Sequence, residues 1–155
     1  MALHFPTPQT AVLLLSTTAF AFTTPLAAKE ATIITLTQTG CQFLEPEGKD
    51  HGYKTQSADD CEKINDKNGE KRLKKSDTIT LKAGTYHFDV ENKNVPYTLG
   101  FWLRGAGVQR AFLPSVSGGG IEEGETKRYT ITLKPGKYVY SCPLNPTPNY
   151  ALVVE

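Results

Sequence analysis

The feature that most constrains the fold is the alternation of apolar and polar residues in short segments of the chain after residue 77. The segments 85–91, 97–103 and 127–134 each carry an apolar residue at every second position. These apolar residues are Tyr86, Phe88, Val90, Tyr97, Leu99, Phe101, Leu103, Tyr129, Ile131 and Leu133. Because successive side chains of a β-strand point to opposite faces, each segment predicts a strand with one buried face.

Further segments extend this pattern along the chain. Additional strands are predicted over 31–38, 78–82, 137–142 and 150–155. Pro135-Gly136 predicts a tight turn, and 105–124 predicts a long loop with the three glycines 118–120 as its most flexible point. About seven short strands separated by turns are typical of a β-sandwich, so we predict an all-β fold.

Residues 41–77 interrupt the strand pattern with polar and charged sequence. Ser57 is a good helix N-cap and is followed by acidic residues, so a short helical insertion is predicted over about 57–75. Asn68-Gly69 is expected to divide it into two pieces. The basic residues Lys71, Arg72, Lys74 and Lys75 are expected to form a solvated helix face.

The first 28 residues resemble a secretory signal. No charged residue precedes Lys29, residues 11–22 are apolar, and Ala27 and Ala28 are small, as is usual before a cleavage site. We predict a signal peptide over 1–28, one domain over 29–155, and a periplasmic or secreted location. An uncleaved membrane anchor is the alternative.

The charge balance and the motif content exclude several classes of function. The 17 basic and 16 acidic residues give a net charge of +1, which provides no basic field for nucleic acid or a membrane surface. We therefore predict no nucleic-acid partner and no lipid insertion after signal cleavage. No Ser/His/Asp or Cys/His arrangement, glycine-rich phosphate loop or zinc spacing is present, so we predict that the protein is not an enzyme.

The order of motifs in the final half of the chain resembles that of the cupredoxins. The motifs are LKAGTY at 81–86, VENKNVPY at 90–97, LKPGKY at 133–138 and a strand that ends at Cys142. The resemblance covers about 31–40 and 78–155. It implies a cupredoxin-like Greek-key β-sandwich with the predicted helix as an insertion.

In cupredoxins, copper is held by two histidines, a cysteine and a methionine, a mixture that suits both of its redox states. The resemblance places Tyr97 at the first histidine, Cys142 at the cysteine, Asn145 at the second histidine and Tyr150 at the methionine. Only Cys142 matches the family's ligand set. An ordinary blue-copper electron carrier is therefore not expected.

The segment that follows the first strand is similar to periplasmic iron-uptake cupredoxin domains. Gly40-Cys41-Gln42 carries this similarity, which implies that Cys41 lies near Cys142 as a disulfide partner or a second soft ligand. Further donors to copper or iron would come from the acidic segment of Glu45, Glu47, Asp50 and His51. The alternative for this segment is a solvated polar loop.

A competing pairing is Cys41 with Cys61, which we favour because the insertion otherwise has few apolar anchors. It would close a loop of about 20 residues, stabilise the fold by about 3 kcal/mol and leave Cys142 free. The sequence leaves both pairings open.

Two functions follow from these observations. The first is binding or trafficking of copper (or iron) through a non-standard site centred on Cys142, with Cys41 or His51 assisting, for a membrane or periplasmic metal-transport partner. The second is a metal-free module that binds a protein partner, with the mixed basic and apolar segment 104–120 as a possible surface. A reduced Cys142 beside Tyr97 and Asn145 would favour metal, and a disulfide-bound Cys142 would favour the module.

Overall fold

The computed structural model describes residues 1–3 and 30–155. The predicted signal peptide falls largely on 4–29 and so lies outside the described residues. None of the helices in the described part of the chain is long and apolar enough to cross a membrane.

Nine strands form two sheets. They are β1 Thr32–Thr39, β2 Gln42–Phe43, β3 Ile79–Leu81, β4 Gly84–Asn92, β5 Leu99–Gly105, β6 Val116–Ile121, β7 Thr126–Leu133, β8 Gly136–Ser141 and β9 Tyr150–Val154. One sheet has the order β2-β1-β4-β7 and the other β3-β9-β8-β5-β6. The pairs β1–β4 and β3–β9 are parallel, and the other neighbouring strands are antiparallel.

The inward faces of the two sheets pack together as the alternation predicts. Phe88 of β4 stacks on Phe101 of β5 at 5.7 Å between ring centroids, which joins the sheets near the middle of the core. The other large buried side chains include Leu36, Leu99, Leu103, Leu133, Tyr138 and Tyr140. The all-β sandwich predicted from the sequence is confirmed, with nine strands in two sheets where about seven strands were predicted.

The insertion contains a four-residue helix α1, Leu44–Glu47, and a longer helix α2, Ala58–Leu73. Ser57 caps α2 as predicted, in a capping box completed by Asp60. The predicted break at Asn68-Gly69 is wrong, because α2 is continuous through it. Glycine inside a helix costs only about 1 kcal/mol relative to alanine, which the packing of α2 on the sandwich offsets.

The predicted loop 105–124 also contains regular structure. A 3₁₀ turn spans Gly107–Ala111, and Gly118, Gly119 and Gly120 lie in the edge strand β6 rather than in a flexible loop. A Cβ atom added at Gly118 would lie 3.1 Å from the Tyr129 ring, and the Tyr129 hydroxyl donates to Gly118 O at 3.0 Å. The close approach of an aromatic ring therefore favours glycine at this position.

Candidate functional site

Cys41 and Cys61 form a disulfide, with 4.9 Å between their Cα atoms, and Cys142 is a free, buried thiol. The bond ties the start of α2 to the turn between β1 and β2, which is the favoured pairing. The alternative pairing of Cys41 with Cys142 is wrong. Because its sulfur is in the disulfide, Cys41 is not available as a thiolate ligand.

Asn145 is the centre of a buried hydrogen-bond network beside this disulfide. Its side chain is fully buried, and its Oδ1 accepts hydrogen bonds from Cys41 N at 3.0 Å and from the Tyr97 hydroxyl at 3.1 Å. Its Nδ2 donates to Thr39 O at 3.0 Å. Oδ1 also lies 3.0 Å from Cys61 Sγ, a contact without a hydrogen bond because a disulfide sulfur carries no hydrogen. Both ends of the Asn145 amide are therefore engaged by protein atoms.

Cys41 needs these contacts because its backbone is in the left-handed region, with φ of 61°. A residue with a Cβ adopts this conformation only where its surroundings hold it. Asn145 Oδ1 accepts a hydrogen bond from the Cys41 N–H, and Arg72 Nη2 donates to the Cys41 carbonyl at 2.9 Å. The disulfide fixes its side chain.

Tyr97 is held by the turn that precedes β5. Asn92, fully buried at the end of β4, donates from Nδ2 to Tyr97 O at 3.2 Å and accepts from Val95 N at 2.9 Å. The Tyr97 hydroxyl also lies 3.3 Å from Thr55 Oγ1 and 3.2 Å from Ser57 O. Burial raises the pKa of Tyr97, so its hydroxyl stays protonated and acts as a hydrogen-bond donor.

Cys142 lies under the same network and is 1% exposed. Its Sγ accepts hydrogen bonds from Gly100 N at 3.3 Å and Asn145 N at 3.2 Å. Burial raises the pKa of the thiol, with the backbone donors acting in the opposite direction, so the neutral thiol is the stable form.

Tyr150 and His51 belong to a second cluster, centred on the Glu47 carboxylate. Tyr150 donates its hydroxyl to Glu47 Oε1, His51 Nε2 lies 2.7 Å from Oε2, and Arg72 makes a forked ion pair through Nε at 2.9 Å and Nη2 at 2.7 Å. Among the described residues, neither His51 nor Tyr150 makes a hydrogen bond to Cys142. Burial favours a higher pKa for Glu47, but Arg72 and Tyr150 outweigh it and hold the pKa below its ordinary value.

This cluster corrects two expectations. Arg72 was expected on a solvated helix face, but its side chain is only 6% exposed because it enters the space between α2 and α1. The segment from Glu45 to His51 is a solvated loop only in part: Glu45, Lys49 and Asp50 are exposed, but the Glu47 side chain is 3% exposed, and both Glu45 carboxylate oxygens accept from Thr37 N. Sequence reasoning missed Arg72 and Asn92, since neither stands at a family ligand position.

The donor set does not fit a copper ion. Of the four residues that the sequence resemblance placed at copper-ligand positions, Tyr97 and Asn145 are bonded to protein atoms, Tyr150 donates to Glu47, and Cys142 is a buried neutral thiol. Within residues 1–3 and 30–155 there is no group of three or more His, Cys, Asp or Glu side chains that could hold a metal ion. Cys142 is free and beside Asn145, as a metal site would require, but the polar side-chain atoms of Tyr97, Asn145 and Tyr150 are bonded to protein atoms.

Comparison with known proteins gave matches among solved structures only. No family model and no curated protein matches the chain. Auracyanin B is 15% identical, with 84% of this chain and 93% of that chain covered and a TM-score of 0.49. A dithionite-reduced auracyanin from Roseiflexus castenholzii is 14% identical, with 82% and 99% covered and a TM-score of 0.46. Auracyanin A, a "blue" copper protein from Chloroflexus aurantiacus, is 17% identical, with 81% and 100% covered and a TM-score of 0.44.

Proposed function

We propose that this chain is an exported binding module that recognises a protein partner and does not rely on a copper centre. The observation that carries this proposal is the closed network around Asn145. Its amide accepts hydrogen bonds from Cys41 N and the Tyr97 hydroxyl and donates one to Thr39 O. Because these bonds hold the chain segments together, the end of the sandwich where the family's ligands lie serves here as structural core. A fold without its reactive centre still offers a rigid surface for recognition.

The surface best suited to recognition lies on the outer face of the five-stranded sheet. Phe101 and Leu103 point to the core, so Trp102 between them points outward. The guanidinium carbons of Arg104 and Arg110 lie 4.0 and 4.6 Å from the centroid of the Trp102 ring. We call these three residues, with Val108 and Phe112, the arginine–tryptophan surface.

The two arginines carry positive charge that lacks a counter-charge. Arg104 is 8% exposed and donates only to neutral acceptors: Trp102 O at 3.0 Å, Ser141 Oγ at 3.0 Å and Asn149 Oδ1 at 2.6 Å. In the part of the chain that the structure describes, neither Arg104 nor Arg110 forms an ion pair with a carboxylate. Burial is the main cause that lowers the pKa of Arg104, and the positive charge of the nearby Arg110 lowers it further. A carboxylate supplied from outside would relieve this unfavourable electrostatic environment.

Large apolar side chains flank the arginines. Val108 and Phe112, on and just after the 3₁₀ turn, are 86% and 81% exposed. Exposed apolar residues beside arginine and tryptophan have the composition of an interaction site, where these residue types contribute most of the binding energy. The partner that fits is a protein segment in which acidic side chains alternate with apolar ones.

A peptide titration tests this partner chemistry. The probe is a synthetic peptide of alternating glutamate and phenylalanine, added to residues 29–155. Trp102 is the only tryptophan in the chain, so its fluorescence reports directly on the proposed surface. We expect saturable binding that weakens with salt, and a loss of affinity of more than about tenfold in Arg110→Glu.

The matched control is Lys93→Glu, which makes the same charge change at an exposed turn elsewhere and should bind as the parent does. Equal binding of a peptide with lysine in place of glutamate, or unchanged binding by Arg110→Glu, would exclude the acidic partner. Sedimentation of the protein alone distinguishes a second copy as occupant, because self-association would need no peptide.

Metal binding through Cys142 is the second candidate, favoured by the single observation that this thiol is free. We expect residues 29–155 to bind no Cu(I), Cu(II) or Fe tightly, because Tyr97, Asn145 and Tyr150 are already hydrogen-bonded to protein atoms. Titration against a chelator, with thiol counting by mass spectrometry, measures this. One equivalent bound by the parent and lost in Cys142→Ser would establish the metal site and refute the metal-free module.

A further inference from the structure

A cavity of about 370 Å³ opens between helix α2 and the segment that follows α1. It lies on the insertion, where Arg72, Tyr53 and His51 contribute to its lining, and shares no residue with the arginine–tryptophan surface. Lys49, Lys71 and Lys75 also line it, and all three are exposed. Its volume falls within the range of small-molecule sites, about 300–1,000 Å³.

The charge lining this cavity is strongly unbalanced. Four basic side chains and the single carboxylate of Glu47 line it, a net charge of +3 with His51 neutral. Glu47 is already engaged by Arg72, His51 and Tyr150. Among the described residues, none of the three lysines forms an ion pair within 4.0 Å. The excess positive charge therefore belongs to the lysines and faces the cavity.

The position of the lysines is not explained by the helix alone. Lys71 lies in the last turn of α2 and Lys75 just beyond it, where the helix dipole favours cations. Lys49 belongs to a separate segment, where the dipole of α2 does not stabilise its charge, yet it lines the same cavity as Lys71 and Lys75.

The acidic residues near Lys49 do not neutralise this group. The Asp50 carboxylate accepts from Gly52 N at 2.7 Å and lies 3.4 Å from Thr39 Oγ1. The Glu45 carboxylate caps Thr37 N. Neither residue lines the cavity. Three ammonium groups that act as point charges suit a compact, multiply charged oxyanion.

We propose that this lysine cavity binds a phosphate group, with Lys49, Lys71 and Lys75 as its charged contacts. The cavity is larger than phosphate alone, so a small phosphorylated molecule fits it, and a phospholipid headgroup presents the same chemistry. The proposal is independent of the partner surface, and each can fail without the other.

Isothermal titration of residues 29–155 with inorganic phosphate tests the cavity. We expect saturable binding that weakens with ionic strength, and a loss of more than about tenfold in Lys71→Ala/Lys75→Ala. The control, Lys67→Ala/Lys74→Ala, removes the same charge from positions that do not line the cavity and should bind within about twofold of the parent. All four lysines are exposed, so neither double variant should lose its fold.

A second arm identifies the source of the phosphate. Co-sedimentation with phosphatidylcholine vesicles, with and without phosphatidylglycerol, is compared for the same proteins. The site is supported if Lys71→Ala/Lys75→Ala loses phosphate binding or vesicle binding and the control variant does not. If the parent binds vesicles that contain phosphatidylglycerol but not inorganic phosphate, the phosphate belongs to a lipid headgroup. Absence of both kinds of binding, or equal losses in the two double variants, would overturn the proposal.

Discussion

Replacing Arg72 by methionine is expected to lower the free energy of unfolding by about 3–5 kcal/mol, because it leaves the buried Glu47 carboxylate without its ion-pair partner. The two side chains are 6% and 3% exposed, and the guanidinium makes two bonds to the carboxylate. Arg72 also donates to the carbonyl of Cys41, whose backbone is in the left-handed region. Urea unfolding of residues 29–155, followed by circular dichroism, measures the loss.

Two further variants separate the ion pair from general effects of the substitution. Lys74→Met removes a charge at an exposed position two residues along the chain and should change stability by less than about 0.5 kcal/mol. Glu47→Gln combined with Arg72→Met removes the uncompensated charge, so part of the lost stability should return. If Arg72→Met were as stable as Lys74→Met, the Glu47–Arg72 pair would not be a main anchor of the insertion.

The sandwich was predictable from sequence because strand alternation is a local signal. Each of β4 and β7 buries every second side chain, and the Ser57 N-cap marked the start of α2 within one residue. The errors concern glycine. Gly69 and the glycines of β6 were interpreted as breaks. The role of Gly118 depends on Tyr129 of a neighbouring strand, whereas Gly69 meets only Asn65 of its own helix.

The candidate site was predictable in part. The motif positions correctly brought Tyr97, Cys142 and Asn145 into one region, but they could not show that the amide of Asn145 would be saturated by three protein groups. The Glu47–Arg72 pair joins residues 25 positions apart in segments that both look solvated. Burial of such a pair depends on how α2 docks on the sandwich, which no local pattern encodes.

Replacing Asn145 by leucine tests whether this residue has become part of the structural core. The substitution keeps the branched shape of the side chain but leaves the Cys41 N–H and the Thr39 carbonyl without the amide as their partner, and it removes one of the three contacts of the Tyr97 hydroxyl. A buried polar group without a hydrogen bond costs about 1–3 kcal/mol, so we expect a loss of at least about 2 kcal/mol in unfolding free energy. Thermal and urea unfolding measure it.

The matched control is Asn94→Leu, which makes the same change at an exposed turn position and should cost less than about 0.5 kcal/mol. If Asn145→Leu were equally mild, the polar network would add little to stability and a ligand role for this end of the sandwich would regain support. A large loss without any change in copper affinity would instead show that the hydrogen bonds of Asn145 serve the fold. That result would direct the search for function to the arginine–tryptophan surface.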